Sequence, residues 1–207
     1  MSDERDADPA RPPLSSPPLG DASNVLLLGS PMDPRTLETG LALVAGDRPA
    51  DVRVLWITLL NTSGEVLDIW DAHFGERPDQ FRIVLVGDGL ADTDAVATPT
   101  VGTDAIADPT DLTTLGVRVV DVLSTWATDD VEVRLRFDSL TPLLQYVSPR
   151  ALAQFLHVLT NKLAFAGVTA HFHLDPMAHD SRTVHALAAV CDARVEVDGD
   201  GVSVSHR

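Results

Sequence analysis

The sequence predicts a three-layer α/β domain: a mostly parallel central sheet, helices on both faces and a C-terminal β-hairpin. Three observations carry this. From Asn24 onward, short apolar runs alternate with stretches of helical period, the order that builds parallel strands joined by helical crossovers. A length of 207 residues suits one such domain with a sizeable core. The last two apolar runs, 194–197 and 202–205, surround Asp198-Gly199-Asp200-Gly201, a turn sequence that closes a hairpin.

The elements follow in order. Residues 1–22 are acidic and Pro-rich with no periodicity, and read as a disordered tail ahead of a domain over 23–207. Val25–Leu28 is a buried strand. Thr36–Ala45 is a helix with Leu37, Leu41 and Val44 on one face. Val52–Leu60 is a second strand, Glu65–His73 a short helix, and Phe81–Val86 a third strand. Residues 88–110, rich in Asp, Ala, Thr and Pro, read as a loop with a short strand at 97–101. In 111–126, Leu112, Leu115, Val119, Leu123 and Trp126 recur at helical spacing. Val131–Phe137 is a strand ending at Asp138-Ser139. Ser148-Pro149 starts a helix that Gly167 ends, with Leu152, Leu156, Leu159 and Leu163 as its stripe. Val168–Leu174 is a strand and Ser181–Val190 a helix.

Composition narrows the function classes. The formal net charge is -16, the acids are mostly Asp, and Lys162 is the only lysine. Abundant short carboxylates keep a surface hydrated in a salt-loaded cytoplasm, where self-repulsion is screened; this is the composition of a halophilic protein. Phosphate contacts need a basic face, so nucleic acid is not an expected partner. No apolar run reaches the roughly 20 residues of a membrane helix, and no basic-then-apolar leader opens the chain. The expected location is the cytoplasm, without membrane insertion. Cys191 is the single cysteine, at a helix-to-strand junction, and reads as buried and inert.

Two stretches carry candidate chemistry. The first is "NVLLLGSPMDPRTLETG", residues 24–40. Gly29, four residues and then Pro34-Arg35-Thr36 nearly spell a phosphate-binding loop, in which Gly-Lys-Thr is expected. Thr36 stands at the Mg²⁺ position and opens a helix whose N-terminus favours an anion. Arg35 keeps the charge of lysine as a planar fork. Pro34 removes one N–H from the cradle and fixes φ, and Asp33 sets a negative charge where a phosphate would lie. Asp138, ending a hydrophobic strand, is the second part of the pattern, since such an Asp holds Mg²⁺ in phosphate-loop enzymes. It lies about 100 residues on, with two strands between.

"LLLGSPMDPRT" with "LRFDSLTPLLQYV" resembles the RecA/KaiC-like ATPases. The segment "DPTDLTTLGVRVVDVLSTW" and the run from Phe137 to Val197 resemble more closely a haloarchaeal family of KaiC-like proteins of unknown function, the DUF7504 or transducer-like type. The resemblance spans 24–197. It implies a RecA-like fold and places Gly29, Arg35, Thr36, Asp138 and Ser139 as the nucleotide-binding residues. RecA-type ATPases set a catalytic Glu just after the second strand; here that strand is followed by Leu60-Asn61-Thr62, with Glu65 inside the next helix. The lysine, the second glycine and the base are all missing.

The second stretch is "HFHLDPMAHD". His171 and His173 share one face of a strand, and His179 follows at its carboxyl end, a donor set suited to Zn²⁺ or another divalent ion. The alternative is that these residues pack and cap the turn. His157, beside Gln154 and Asn161 on its helix, reads as structural. A serine hydrolase is disfavoured, because no G-x-S-x-G is present. The sequence therefore predicts a non-catalytic regulatory or scaffold module, with no cofactor, acting through self-assembly as a homo-oligomer or through a protein partner. A weak switch binding ATP and Mg²⁺ is the first alternative, and a metal module at His171, His173 and His179 the second.

Overall fold

Capping residues and chain-breaking turns cut this chain into the elements seen in its computed structural model, which describes residues 16–87, 98–126 and 131–207. β1 (Asn24–Leu28) leads through α1 (Pro34–Ala45) to β2 (Val52–Thr58), α2 (Ser63–Phe74) and β3 (Gln80–Val86). Then come β4 (Val101–Ile106), α3 (Leu112–Trp126), β5 (Glu132–Asp138) and the short α4 (Leu140–Leu143). The chain closes with α5 (Pro149–Phe165), β6 (Thr169–Leu174), α6 (Ser181–Ala188), β7 (Ala193–Asp198) and β8 (Gly201–His206). The helix starts are specified locally. Asp33 caps α1 with Pro34 in its first turn, Thr62 and Glu65 form a reciprocal capping box on α2, and Ser148 and Asp180 cap α5 and α6.

The eight strands form one sheet in the order β4-β3-β2-β5-β6-β1-β7-β8, parallel throughout except for the β7–β8 hairpin. Alternate strand side chains enter two layers. Leu55, Ile57, Val84, Leu135, Phe137 and Phe172 pack with α3, α5 and α6. Val54, Trp56, Phe81 and Ile83 pack with α1 and α2. β6 is inserted between β1 and β5, and this placement builds the site described below. No helix among the described residues is long and apolar enough to cross a membrane.

Three expectations are corrected. β4 runs over 101–106, where a loop was expected, and so a third strand lies between Leu28 and Asp138 in sequence. Only Val101 and Ile106 of β4 are buried; its pairing with β3 makes it a strand, since its own pattern is too polar to announce one. Of the strand predicted at 97–101, residues 98–100 are not in a strand and Val101 begins β4, while 88–97 lies outside the described residues. β2 stops at Thr58 because the Thr58 hydroxyl accepts from the N–H groups of Leu60 and Asn61 and turns the chain. The predicted tail lies outside the described residues as far as residue 15; beyond that it is seated on the domain. Ser16 Oγ donates to the Ala42 carbonyl at 2.6 Å, and Leu19 and Ala22 pack on Val25, Leu27 and Val195.

Candidate functional site

The carboxyl ends of β1, β6 and β5 lie side by side beneath α1. β1 ends at Leu28, and the Gly29 N–H donates to the Leu174 carbonyl on β6. The loop then turns, with Asp33 N–H donating to the Ser30 carbonyl at 3.1 Å, and delivers Asp33 to the N-terminus of α1. There the Asp33 carboxylate accepts from the Arg35 backbone N–H at 2.9 Å and from the Arg35 guanidinium at 2.7–3.2 Å. The Arg35 side-chain hydrogen bond holds the Asp33 carboxyl below its ordinary range. The loop thus carries its own anion, on the helix N-terminus and on the one cation it offers. Thr36 is buried against Gly29, where any side chain would collide with its hydroxyl, and Thr36 Oγ1 has no hydrogen-bond partner.

Under α1 runs a chain of buried ionic groups. β5 alternates Arg134, Arg136 and Asp138 on the face that meets α1, and β6 places His171 and His173 beside them. Arg136, 3 % exposed, donates through Nη2 to Asp138 Oδ2 at 3.1 Å and through Nη1 to His171 Nε2 at 3.4 Å. Its guanidinium carbon lies 4.6 Å from the Trp56 ring centre, a cation–π contact. A guanidinium only donates, so His171 accepts at Nε2 and is neutral. Burial, and then the Arg136 charge, hold the His171 pKa well below the ordinary histidine value. Room for Arg136 exists because residue 40 of α1 is glycine; a Cβ there would collide with Arg136 Nη1. Arg134 donates to the Leu43 carbonyl at 2.8 Å near the end of α1, where a cation complements the helix dipole.

His173 joins the chain to the loop. Its Nδ1 faces Asp138 Oδ1 at 3.1 Å and its Nε2 faces the Gly29 carbonyl oxygen at 3.0 Å. Both partners are acceptors, so the ring satisfies both when each nitrogen carries a proton. Asp138 therefore has one oxygen on His173 and the other on Arg136. Burial pushes the Asp138 carboxyl upward, but the Arg136 charge and the His173 hydrogen bond outweigh it and hold the group far below the usual carboxylate range. Ser139 Oγ donates to the His173 carbonyl and accepts from the Thr141 N–H, fastening the end of β5 to β6. The peptide between Asp138 and Ser139 is cis.

The structure thus brings Gly29, Thr36, Asp138, Ser139, His171 and His173 together and turns Arg35 onto Asp33. His179 goes elsewhere, to a groove of about 380 Å³ beside His185, Arg194 and Asp198. Among the described residues, no three His, Cys, Asp or Glu side chains are grouped so as to hold a metal ion. Arg136 places a fixed positive charge at His171, where a cation would have to sit. Glu65 Oε2 is taken by the N–H and hydroxyl of Thr62 in the α2 cap, so no carboxylate follows β2 in the position of a base. Cys191 is buried, and burial pushes its thiol up to about 12. His157 is exposed at the surface of α5 rather than structural.

Sequence reasoning missed Arg136, Gly40 and the role of His173 as a bridge. The signal was available: polar residues at every second position of a strand buried on both faces form one continuous polar line.

The sequence comparison decides the family. A match to the family described as "Family of unknown function (DUF7504)" spans residues 22–197. The chain belongs to this family. No curated protein matches this DUF7504 chain. Solved structures from Pyrococcus horikoshii share its fold. A KaiC-like protein has a TM-score of 0.57 at 14 % identity, covering 89 % of this chain and 78 % of that one. An uncharacterised protein in complex with an unknown peptide has a TM-score of 0.59 at 14 % identity, covering 88 % and 81 %. A third, from a structural study, has a TM-score of 0.56 at 12 % identity, covering 88 % and 85 %. The DUF7504 chain is thus RecA/KaiC-like in fold.

Proposed function

We propose that this chain is a non-catalytic RecA/KaiC-like module whose nucleotide site has been filled by the chain's own charges, and that it acts by binding a protein partner or further copies of itself. One observation carries the reading. The charged groups a Mg²⁺–nucleotide would use are already engaged: both Asp138 oxygens by Arg136 and His173, and Arg35 and the α1 N-terminus by Asp33. Pro34 adds no N–H to a cradle, and no carboxylate follows β2 to polarise a water. A site in that state keeps the fold and leaves binding surfaces as the means of action. One of the similar structures was solved with a peptide bound, which fits a partner-binding use of this fold. The strongly acidic composition fits a protein working at high salt.

A second reading is favoured by one atom. Thr36 Oγ1, at the Mg²⁺ position, is buried without a partner, as in a weak NTP-binding switch in which Asp33 swings aside. Titration of a fluorescent ATP analogue with Mg²⁺ at molar KCl separates the two. The module shows no saturable signal; saturable binding abolished by Arg35→Ala establishes the switch instead.

A further inference from the structure

The outer face of the α3–α5–α6 layer lies across the sheet from the ionic chain and plays no part in it. Two grooves cross it. One, about 540 Å³, lies between α3 and α5 and is walled by Val117, Val120 and Phe155. The other, about 800 Å³, lies between α5 and α6 and is walled by Ala153 and Ala186. Gln154 and Val158 line both, so the two form one trough with Val158 on its central ridge. Val117 and Val158 are 55 % and 56 % exposed, large apolar groups left in water.

The charge of this face runs against that of the molecule. The chain has 31 acidic residues against 15 Lys and Arg, yet α5 has no acidic residue in 17 and carries Arg150 and Lys162, the only lysine of the chain. Arg150, Lys162 and Arg182 line the trough. Of its two acids, Asp121 and Asp180, the second caps α6 through the Thr183 N–H. An apolar trough with cationic walls on a strongly anionic protein complements an apolar stripe flanked by carboxylates.

From this we infer that the trough docks an amphipathic helix of a partner protein, with apolar residues at i, i+3 or i+4 and i+7 seated over Val158 and Val117 and flanking Asp or Glu facing Arg150, Lys162 and Arg182. The inference rests on the partner-binding part of the proposed function and names its surface. A second copy is the poorer occupant: an isologous contact through this face would pack the Arg150, Lys162 and Arg182 cations of one copy onto the same cationic face of the other.

The test is a phage-displayed library of helical peptides of about 20 residues, selected on the full chain and counter-selected on the Val158→Glu chain, with both folds checked by circular dichroism. The expected winners carry the apolar stripe with acidic flanks, and lose about tenfold in affinity on Lys162→Glu as well as on Val158→Glu. Failure to enrich any sequence that distinguishes the two chains, or enrichment of basic flanks, overturns the inference. Sedimentation with anionic phospholipid vesicles that is lost on Val158→Glu, or a wild-type oligomer seen by light scattering and dissociated by Val158→Glu, assigns the face to a membrane or to a second copy and overturns it too. The nucleotide titration is independent: saturable ATP binding ends the filled-site reading and leaves the trough result standing, while a failed selection leaves the filled nucleotide site as it is.

Discussion

His173 Nδ1 stands 3.1 Å from Asp138 Oδ1 while the other nitrogen of the same ring stands 3.0 Å from the Gly29 carbonyl oxygen. One imidazole thus ties the end of β5 to the first residue of the loop, from the strand inserted between them. Replacing it with leucine leaves a buried carboxylate oxygen and a carbonyl without donors. His173→Leu is expected to cost about 2–3 kcal/mol in urea unfolding at constant salt; a loss below the error of the measurement contradicts the bridge.

Arg136 is the counter-charge of a buried carboxylate. Arg136→Met leaves Asp138 ionised and short of a partner, with an expected loss of about 3–5 kcal/mol. The double variant Arg136→Met with Asp138→Asn removes the stranded charge and recovers a large part of that loss. If the two single losses simply add, the pair is not coupled as its geometry states.

The Asp138 carboxyl sits far below its ordinary value in the folded chain. The unfolded chain therefore binds this proton more readily, so the stabilisation is complete above the unfolded value near pH 4 and is withdrawn as pH falls below it. Between about pH 5 and pH 3, the stability of the wild-type chain should fall more steeply than that of Asp138→Asn. Parallel slopes in denaturant titrations at each pH contradict this.

Gly40 gives a test in which two effects have opposite signs. In a helix interior, alanine is favoured over glycine by about 1 kcal/mol. Here the added methyl group meets Arg136 Nη1, which is held by Asp138, His171 and Trp56 and has no free direction to move. Gly40→Ala is expected to destabilise, and in an Arg136→Met background the same substitution is expected to stabilise, both by thermal melting.

Asp33 holds the anion position of the loop. Asp33→Ser keeps a capping oxygen for α1 and frees Arg35. Calorimetric titration with inorganic tripolyphosphate should show saturable binding to this variant, and none once Arg35→Ala is added. Binding indifferent to Arg35 means that the anion sits elsewhere.

Much of the fold was legible in the sequence because strands buried on both faces announce themselves: Val25–Leu28 and Ile83–Val86 are unbroken apolar runs, and Ser148-Pro149 and Gly167 mark helix ends. β4 was not, because Gly102, Thr103 and Asp104 become a strand only by pairing with β3. In the site, the loop residues and Asp138 could be named from spacing, but not the fact that β6 separates them, since strand order is a property of long-range packing. Without that order His171 and His173 read as ligands. With it they read as the members of a polar line that Arg136 completes.

The absent methyl group at residue 40 has a consequence beyond this one chain. Glycine there is useful only while position 136 carries a long cation, and the cation fits only while position 40 is bare. A lineage that loses one has no reason to keep the other. In an alignment of DUF7504 sequences the two positions, 96 residues apart in this chain, should therefore change in concert, with side chains returning to position 40 wherever position 136 becomes short or uncharged.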